Sequence, residues 1–502
     1  MAVTKPAGFL RFVVLPGLNV WNERQPGTSA SFLRTATRLL NAAPRAGVLL
    51  SLKAFDFKMT LLDQVAPQET MLVSMGEAER IKLLRAHPGL RVVPVTQLSP
   101  LWLRHRQVNA VPGVVSAAGS RFVFEVAVTD KQTGGPLEGV DVVALISRSE
   151  RTGAVARSNK RGIARLLLPA GVRKLESVEA YPAHGHWPAH VAELSLATGA
   201  PCLACSPIDL GDRDMRGHFG LAGRDTDGEG VRVAVIDTGA AKHPDLRFAK
   251  GMNVVRGEPA ADFDDRMGHG THVCGIIAGR GLAGQGVRGA APGVALHVYR
   301  VFGRSSETAE SFAIAKAIRQ AVDDGCDLIN LSLGGEGDMP DVLREIQRAR
   351  ALGVVCLAAT GNDYRGAVSY PARYAQTMAV SAFGRKGTYP AGAAQALTIQ
   401  KPFGTDRKNF VANFSNVGSE VDLTGPGVGI VSAYPGGYAV MDGTSMACPA
   451  ITGSLARQLG RQSRILNMAR DQKRSDAIIH LALKAAEELG FGATFEGAGL
   501  LV

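Results

Sequence analysis

Three side chains that can cooperate in nucleophilic catalysis lie far apart in this sequence. Asp237 ends the apolar run "VRVAVID", His269 lies between glycines in "GHGTHVCG", and Ser445 lies among small residues in "DGTSMACPA". Attack of a hydroxyl on an amide carbonyl needs a base that takes the proton and an acid group that holds this base in the right tautomer. The three residue types therefore predict an Asp-His-Ser site, provided that the fold brings them together.

Each of these residues also has a plainer interpretation. Asp237 alone can cap the turn that follows its strand, and Ser445 alone can cap a helix. His272, three residues after His269, is expected to be a buried packing residue. A zinc site made of the two histidines is disfavoured, because their spacing is three and no glutamate lies between them. We therefore predict no metal ligands here.

A fourth polar residue strengthens the catalytic interpretation. Asn362 follows Gly361 at the end of the apolar run "VVCLAATGN". It is either an ordinary turn residue or a donor to an oxyanion, acting together with the backbone N–H of Ser445 at the start of a helix. Four such features in one chain favour a catalytic site over four unrelated turns and caps.

The elements that must position these residues alternate between strands and helices from about residue 217 onward. Nearly continuous apolar strands separated by helical periodicity predict an α/β fold with a doubly wound, mostly parallel sheet. In such sheets the reactive groups lie at the carboxyl ends of the strands. This rule places the ends of "VRVAVID" and "VVCLAATGN" at one edge of the sheet.

The N-terminal part of the chain differs in pattern and in charge. Residues 1–205 contain 24 Lys and Arg against 14 Asp and Glu, whereas residues 206–502 contain 32 against 31. A small α+β unit is predicted first, and short strands between Gly and Pro residues then predict a β-sandwich. The basic residues are dispersed and no aromatic residues alternate with them, which favours a solvated surface over nucleic-acid binding.

Composition limits the class of protein and the compartment that can be expected. No apolar run reaches the roughly 18 residues that a membrane helix needs, so no membrane partner is predicted. Six scattered cysteines in 502 residues do not suggest a disulfide scaffold. The first residues lack the layout of a signal peptide, because Arg11, Pro16 and Asn19 interrupt the apolar stretch. We therefore expect a cytoplasmic protein, with secretion by another route left open.

The region from about residue 217 to residue 502 resembles the subtilisin-like serine proteases (subtilases). The likeness is carried by "AVIDTG", "GHGTHVCG", "NLSLGG", "AATGN" and "GTSMACP", in the chain order Asp, His, Ser. The resemblance implies that Asp237 orients His269, that His269 acts as base and then as acid, that Ser445 is the nucleophile and that Asn362 is the oxyanion donor. It also implies that the stretch from Ser332 through Leu333 and Gly334 to Gly335 pairs with a peptide substrate, and that Ala358, Ala359 and Ser369 line the pocket for the side chain before the cleaved bond.

The N-terminal unit resembles the inhibitory prodomain of subtilases in its order of elements, and the next unit resembles carboxypeptidase regulatory-like sandwiches. The chain is thus divided into a prodomain-like α+β unit (1–100), a β-sandwich (118–200), a linker (201–216) and the catalytic domain (217–502). Cleavage near Leu98, cleavage in the linker and no cleavage remain alternatives. Residues 386–408 are interpreted as an insertion that forms a surface loop over part of the cleft.

The predicted function is that of a serine endopeptidase made as a zymogen, with a peptide or protein substrate and an intramolecular N-terminal inhibitor. No cofactor is predicted. Calcium is possible in this family, but the loop "GRGLAGQGVRG" has no carboxylates to bind it. Two alternatives stay open, namely a peptide ligase or cyclase on the same scaffold and a non-catalytic peptide-binding protein.

Overall fold

The N-terminal unit is an antiparallel sheet with one described helix packed on it. The computed structural model describes residues 10–16, 33, 36–38, 48–52, 57–66, 69–87, 89–103, 108–109, 121–199, 201–211, 219, 224–281 and 286–501. The sheet has the order β2-β3-β4-β1-β5, and its elements are β1 (Leu10–Pro16), β2 (Val48–Leu52), β3 (Phe57–Gln64), β4 (Met71–Met75), α1 (Glu77–Ala86) and β5 (Leu90–Pro94). One face of the sheet buries its own apolar cluster, which includes Phe12, Met59 and Leu83.

Two further sheets between residues 121 and 205 share one hydrophobic cluster. One sheet has three strands in the order β10-β7-β13, and the other has four in the order β12-β11-β8-β9. Inward-facing residues alternate with outward-facing ones along the strands of the three-stranded sheet, as expected where a sheet has one buried face. The strands are β7 (Arg121–Asp130), β8 (Asp141–Ser147), β9 (Thr152–Arg157), β10 (Ile163–Pro169), β11 (Lys174–Tyr181), β12 (Ala189–Ser195) and β13 (Cys202–Cys205).

The largest sheet belongs to the C-terminal part and is mostly parallel. Its strands follow the order β15-β16-β14-β18-β20-β21-β24-β28-β27, with β23 beside β21 and β22 beside β23. Its strands are β14 (Arg232–Asp237), β15 (Lys250–Asn253), β16 (Ala295–Arg300), β18 (Leu328–Leu331), β20 (Val355–Ala359), β21 (Thr377–Arg385), β22 (Ile399–Phe403), β23 (Asn409–Ala412), β24 (Val421–Pro426), β27 (Ala486–Glu487) and β28 (Leu500–Leu501).

Helices cover both faces of this sheet. Val233 and Val235 of β14 belong to the hydrophobic cluster on one face, whereas Ala234 and Ile236 belong to the cluster on the other. Such burial on two faces explains the nearly continuous apolar runs of the central strands. The helices are α2 (His269–Ala278), α3 (Ser311–Asp323), α4 (Pro340–Ala351), α5 (Thr444–Gly460), α6 (Ser463–Leu466), α7 (Gln472–Ala485) and α8 (Ala493–Glu496).

Short strands outside the large sheet complete the fold. A hairpin is formed by β25 (Ile430–Tyr434) and β26 (Gly437–Met441). A three-stranded sheet joins the N-terminal and C-terminal parts, in the order β17-β6-β19. Its strands are β6 (Gln97–Pro100), β17 (Ala309–Glu310) and β19 (Leu333–Gly334).

Residues 386–408 differ from the surface loop over the cleft that the sequence suggested. They include a 3-10 turn (Ala394–Thr398) and β22, which pairs with β23. Gly392 and Ala394 make backbone hydrogen bonds to His190 and Pro188, so this segment packs against the unit at 121–205. The predicted domain limits at residues 118 and 217 lie outside the described residues and stay a prediction.

Candidate active site

The carboxyl end of β14 and the start of α2 bring Asp237 and His269 together. His269 Nδ1 lies 2.7 Å from Asp237 Oδ1, and both side chains are fully buried. Because a carboxylate oxygen accepts the hydrogen bond, Nδ1 carries the proton and Nε2 has a free lone pair. Nε2 is buried and makes no hydrogen bond to any described residue. This nitrogen is therefore placed to act as a base.

A network around Asp265 fixes the turn that leads into α2. The Asp265 carboxylate accepts hydrogen bonds from the backbone N–H of Gly268 and from both the N–H and the hydroxyl of Thr271. Thr238 donates its hydroxyl to Asp265 and accepts the N–H of Gly270 at 2.8 Å. A Cβ on Gly270 would lie 2.1 Å from the carbonyl oxygen of Gly239, so only glycine fits there. The network ties the His269 backbone to the end of β14.

Ser445 lies in the first turn of α5 and is fully buried. Its hydroxyl donates to the carbonyl oxygen of Ser332 at 2.8 Å. The hydrogen bond between nucleophile and base is thus not formed in this conformation, in which the cleft is occupied. Catalytic hydrogen bonds are often absent or long until the reacting complex forms.

Asn362 and the backbone of Ser445 donate to one shared oxygen. The carbonyl oxygen of Leu101 accepts from Asn362 Nδ2 at 2.6 Å and from the Ser445 N–H at 3.0 Å. The amide of Asn362 is oriented by Thr444, whose N–H and hydroxyl both donate to Asn362 Oδ1. Two donors that converge on one carbonyl oxygen form the arrangement that stabilises an oxyanion.

Residues 97–103 occupy the cleft as an added strand. β6 pairs antiparallel with β19, where Pro100 lies opposite Leu333 and Ser99 lies opposite Gly334. β6 also pairs with β17 on its other side. The hydrogen bonds continue beyond the strand, because Leu101 N–H donates to Ser332 and Leu103 N–H donates to Asp442.

Some of the other predicted binding residues lie beside this segment, whereas two are buried within the sheet. A Cβ on Gly334 would lie 2.8 Å from a methyl carbon of Leu101 and 2.9 Å from Ser369 Oγ, so the Leu101 side chain packs over Gly334 near Ser369. Gly335 exchanges two backbone hydrogen bonds with Tyr370. Ala358 and Ala359 are fully buried within β20.

His272 is not part of this group. It is fully buried, and its Nε2 donates to the carbonyl oxygens of Ile430 and Ala439 at 3.0 and 3.2 Å. Burial, followed by repulsion from His269, lowers the pKa of His272 to about 3. It therefore stays neutral and structural, as the sequence indicated.

Sequence reasoning missed the residues that occupy and support the site. Leu101, Thr444 and Asp265 were not singled out. For Asp265 a signal existed, since an aspartate shortly before a helix is a common capping residue. For Leu101 there was none, because β6 is only four residues long and its partners lie more than 200 positions away.

The described residues contain neither a grouped set of metal-ligating side chains nor a helix suited to a bilayer. Within the described ranges, no three His, Cys, Asp or Glu side chains are grouped so as to hold a metal ion. No described helix combines the length and the apolarity that crossing a bilayer requires.

Comparison with known proteins gives consistent matches. The model of the subtilase family matches residues 228–495. Subtilisin Savinase of Lederbergia lenta is 40% identical over 230 residues, which cover 46% of this chain and 76% of that protein. The alkaline protease of Alkalihalobacillus alcalophilus is also 40% identical over 230 residues, but these cover 54% of its length. A thermostable alkaline protease of Halalkalibacterium halodurans is 34% identical over 266 residues, covering 53% of this chain and 64% of the relative.

These relatives overturn the expected cytoplasmic location. They are subtilisins and alkaline proteases, which conflicts with a cytoplasmic location, so that prediction is wrong. The prediction of a cytoplasmic location was based on Arg11, Pro16 and Asn19, which interrupt the apolar stretch near the start of the sequence. Those residues describe the hydropathy of one short segment and do not determine the compartment in which the folded chain works.

Proposed function

The chain belongs to the subtilase family and is a serine-type endopeptidase, and we propose that Ser445, His269, Asp237 and Asn362 carry out its reaction. His269 Nε2 takes the Ser445 hydroxyl proton while Oγ bonds to the substrate carbonyl carbon. Asp237 holds the proton on Nδ1 and stabilises the imidazolium. Asn362 and the Ser445 N–H stabilise the oxyanion.

The second half of the reaction reuses the same groups. The imidazolium gives its proton to the leaving amine as the C–N bond breaks, which leaves an acyl-enzyme on Ser445. Water then attacks this ester and gives its proton to His269, and Ser445 regains a proton as the acid product leaves.

The observation that carries this proposal is the double hydrogen bond to the Leu101 carbonyl. A peptide carbonyl held by Asn362 and by the Ser445 N–H is polarised in the direction in which negative charge develops. The peptide on either side is held in an extended form by Ser332 and Asp442. The segment thus lies extended in the cleft in the way expected of a bound peptide substrate, with one carbonyl held by two donors.

We further propose that this segment is the chain's own first substrate and that residues 1–100 act as an intramolecular inhibitor. Attack on the bound carbonyl cleaves the bond between Leu101 and Trp102. The contacts of the N-terminal unit with α3 then keep the cleaved unit in place until it dissociates. This proposal refines the alternative of cleavage near Leu98 and disfavours both cleavage in the linker and no cleavage.

The test is to incubate the purified full chain and read its new termini by mass spectrometry. We expect a new N-terminus at Trp102, and none in Ser445→Ala, whose peptide hydrolysis should fall roughly 10⁶-fold. Ser463→Ala, at an exposed serine of the same domain, serves as the control and should process normally. Undiminished hydrolysis in Ser445→Ala would remove Ser445 from its role.

The same spectra discriminate the alternatives. A ligase or cyclase captures the acyl-enzyme with an amine, so products with a new peptide bond would dominate over free carboxylates. A non-catalytic binding protein would leave the wild-type chain intact and would not react with a serine-directed covalent probe.

We propose that no calcium ion is needed in the loop around residue 286. Asp245, which lies beside this loop, accepts hydrogen bonds from the Val287 N–H at 2.8 Å and from the Tyr438 hydroxyl at 3.0 Å. These donors engage one oxygen of the Asp245 carboxylate, and the loop "GRGLAGQGVRG" adds no carboxylate of its own, so the region is poor in the charged oxygen ligands that calcium prefers. A chelator should therefore leave the unfolding temperature unchanged.

A further inference from the structure

The unit at 121–205 is fixed to the catalytic domain by the loop between β11 and β12. Trp187 in this loop is 2% exposed and belongs to the same buried cluster as the core around α2 and α5. Its ring packs against Gly429, where a Cβ would lie 3.2 Å away. Gly185 also donates its N–H to Tyr438 at 2.8 Å. A buried tryptophan and backbone hydrogen bonds hold the two units in one orientation.

The opposite face of this loop, residues 182–188, borders a cavity beside the scissile bond. The cavity has a volume of about 550 Å³. Trp102 and Leu103, the two residues that follow Leu101, lie at its boundary together with Asp442. The rings of Trp102 and His269 are nearly perpendicular, in a T-shaped arrangement with 5.4 Å between ring centroids. The cavity thus adjoins the binding path on the leaving-group side of the bond.

The walls of the cavity come from both units and are largely apolar. One wall is formed by Tyr181, Pro182, Ala183 and Pro188, and the other includes Tyr434 and Met441. The charged pair Asp141 and Arg157, joined at 3.0 Å, also borders it, as do the carboxylates of Glu307 and Asp442. Walls of this kind bind large apolar side chains in preference to small or charged ones.

We propose that the β11–β12 loop remains part of the working enzyme and forms a pocket for substrate residues that follow the scissile bond, selecting large apolar side chains there. This inference rests on the proposed function. The segment after Leu101 stays covalently joined to the unit at 121–205 after cleavage, so the loop is not lost with the inhibitor. The chain's own Trp102 and Leu103 show the kind of side chain that this side of the site accepts.

The test compares substrates with and without residues after the cleaved bond. Two internally quenched fluorescent peptides share one sequence that ends in leucine at the cleaved bond. One peptide continues with Trp-Leu and the other with Gly-Gly. A third substrate, a peptidyl anilide, ends at the same leucine. We expect the processed full-length wild type to favour the Trp-Leu peptide by about tenfold or more in kcat/KM. Ala183→Trp fills the cavity from an exposed loop position, so the ratio of kcat/KM for the Trp-Leu peptide to that for the anilide should fall at least tenfold.

A matched variant controls for the added bulk of tryptophan. The anilide, which has no residues after the cleaved bond, separates this inference from the proposed function. Ala192→Trp places the same bulk at an exposed position of β12 away from the cavity and should keep the wild-type ratio. An unchanged ratio in Ala183→Trp, or an equal fall in Ala192→Trp, would overturn this inference and leave the proposed function standing. Anilide hydrolysis that is absent, or that survives Ser445→Ala, would instead overturn the proposed function.

Discussion

Asn362 reaches the carbonyl oxygen of Leu101 across 261 positions of sequence, at 2.6 Å. The amide cannot rotate freely, because its own oxygen accepts two hydrogen bonds from Thr444. The donor is thus aimed before reaction begins, and no reorganisation is needed when charge develops on the carbonyl oxygen.

Replacing Asn362 should therefore lower kcat far more than it changes KM. In Asn362→Ala the oxyanion keeps only the Ser445 N–H, and kcat is expected to fall by about 10²- to 10³-fold. Steady-state kinetics on a peptidyl anilide measures this loss. Asn467→Ala, at an exposed asparagine after α6, is the control. A rise in KM with kcat preserved would mean that Asn362 binds the ground state and the transition state equally.

The residues proposed to be catalytic could be picked out from the sequence because each lies at or near the boundary of an element with a strong local signal. β14 has an apolar run from Val233 to Ile236 and ends at Asp237, and α5 begins next to Ser445. The ends of parallel strands meet at one edge of a sheet whatever the intervening chain does. Local pattern together with this rule therefore indicated which side chains converge.

What fills the cleft was not predictable in the same way. β6 has no apolar period, and it becomes a strand only because β17 and β19 offer free edges on both sides of it. The role of residues 386–408 likewise depends on Pro188 and His190 in a separate unit. Structure that exists only through distant pairing leaves no signal in the local sequence.

Ion pairs between the N-terminal unit and α3 should control how long the cleaved inhibitor stays bound. Lys316 Nζ lies 2.7 Å from Asp63 Oδ2, and both side chains are partly buried. A second pair joins Arg319 to Glu69 at 2.9 Å. We expect Lys316→Asp to shorten the delay between self-cleavage and the onset of anilide hydrolysis by about fivefold, since such a pair contributes roughly 1 kcal/mol.

Restoring the pair with reversed charges distinguishes this effect from a general change of surface charge. The double variant Lys316→Asp with Asp63→Lys should regain most of the wild-type delay. Lys484→Asp changes the net charge equally at an exposed position of α7 and should not alter the delay. If the double variant releases its inhibitor as fast as the single one, the pair does not hold the inhibitor.

Neutral His272 should make the enzyme lose stability in acid. Its pKa is lowered to about 3 in the folded chain, mainly by burial, whereas an unfolded histidine has a pKa of about 6.5. Between these values the unfolded state binds more protons, so the free energy of unfolding falls as the pH drops below about 6.5. The slope is roughly 1.4 kcal/mol per pH unit, or about 2 kcal/mol between pH 6.5 and pH 5.

A variant that cannot titrate isolates this contribution from those of other groups. His272→Gln offers an amide donor to the carbonyl oxygens of Ile430 and Ala439 but stays neutral at every pH. It should be less stable than its parent at pH 8, and the difference should shrink by about 2 kcal/mol at pH 5. Urea unfolding in a Ser445→Ala background, which prevents self-digestion, measures both values.

His480→Gln, on the exposed side of α7, provides the control. A difference that stays constant from pH 8 to pH 5 would show that His272 is not the group whose protonation opposes folding.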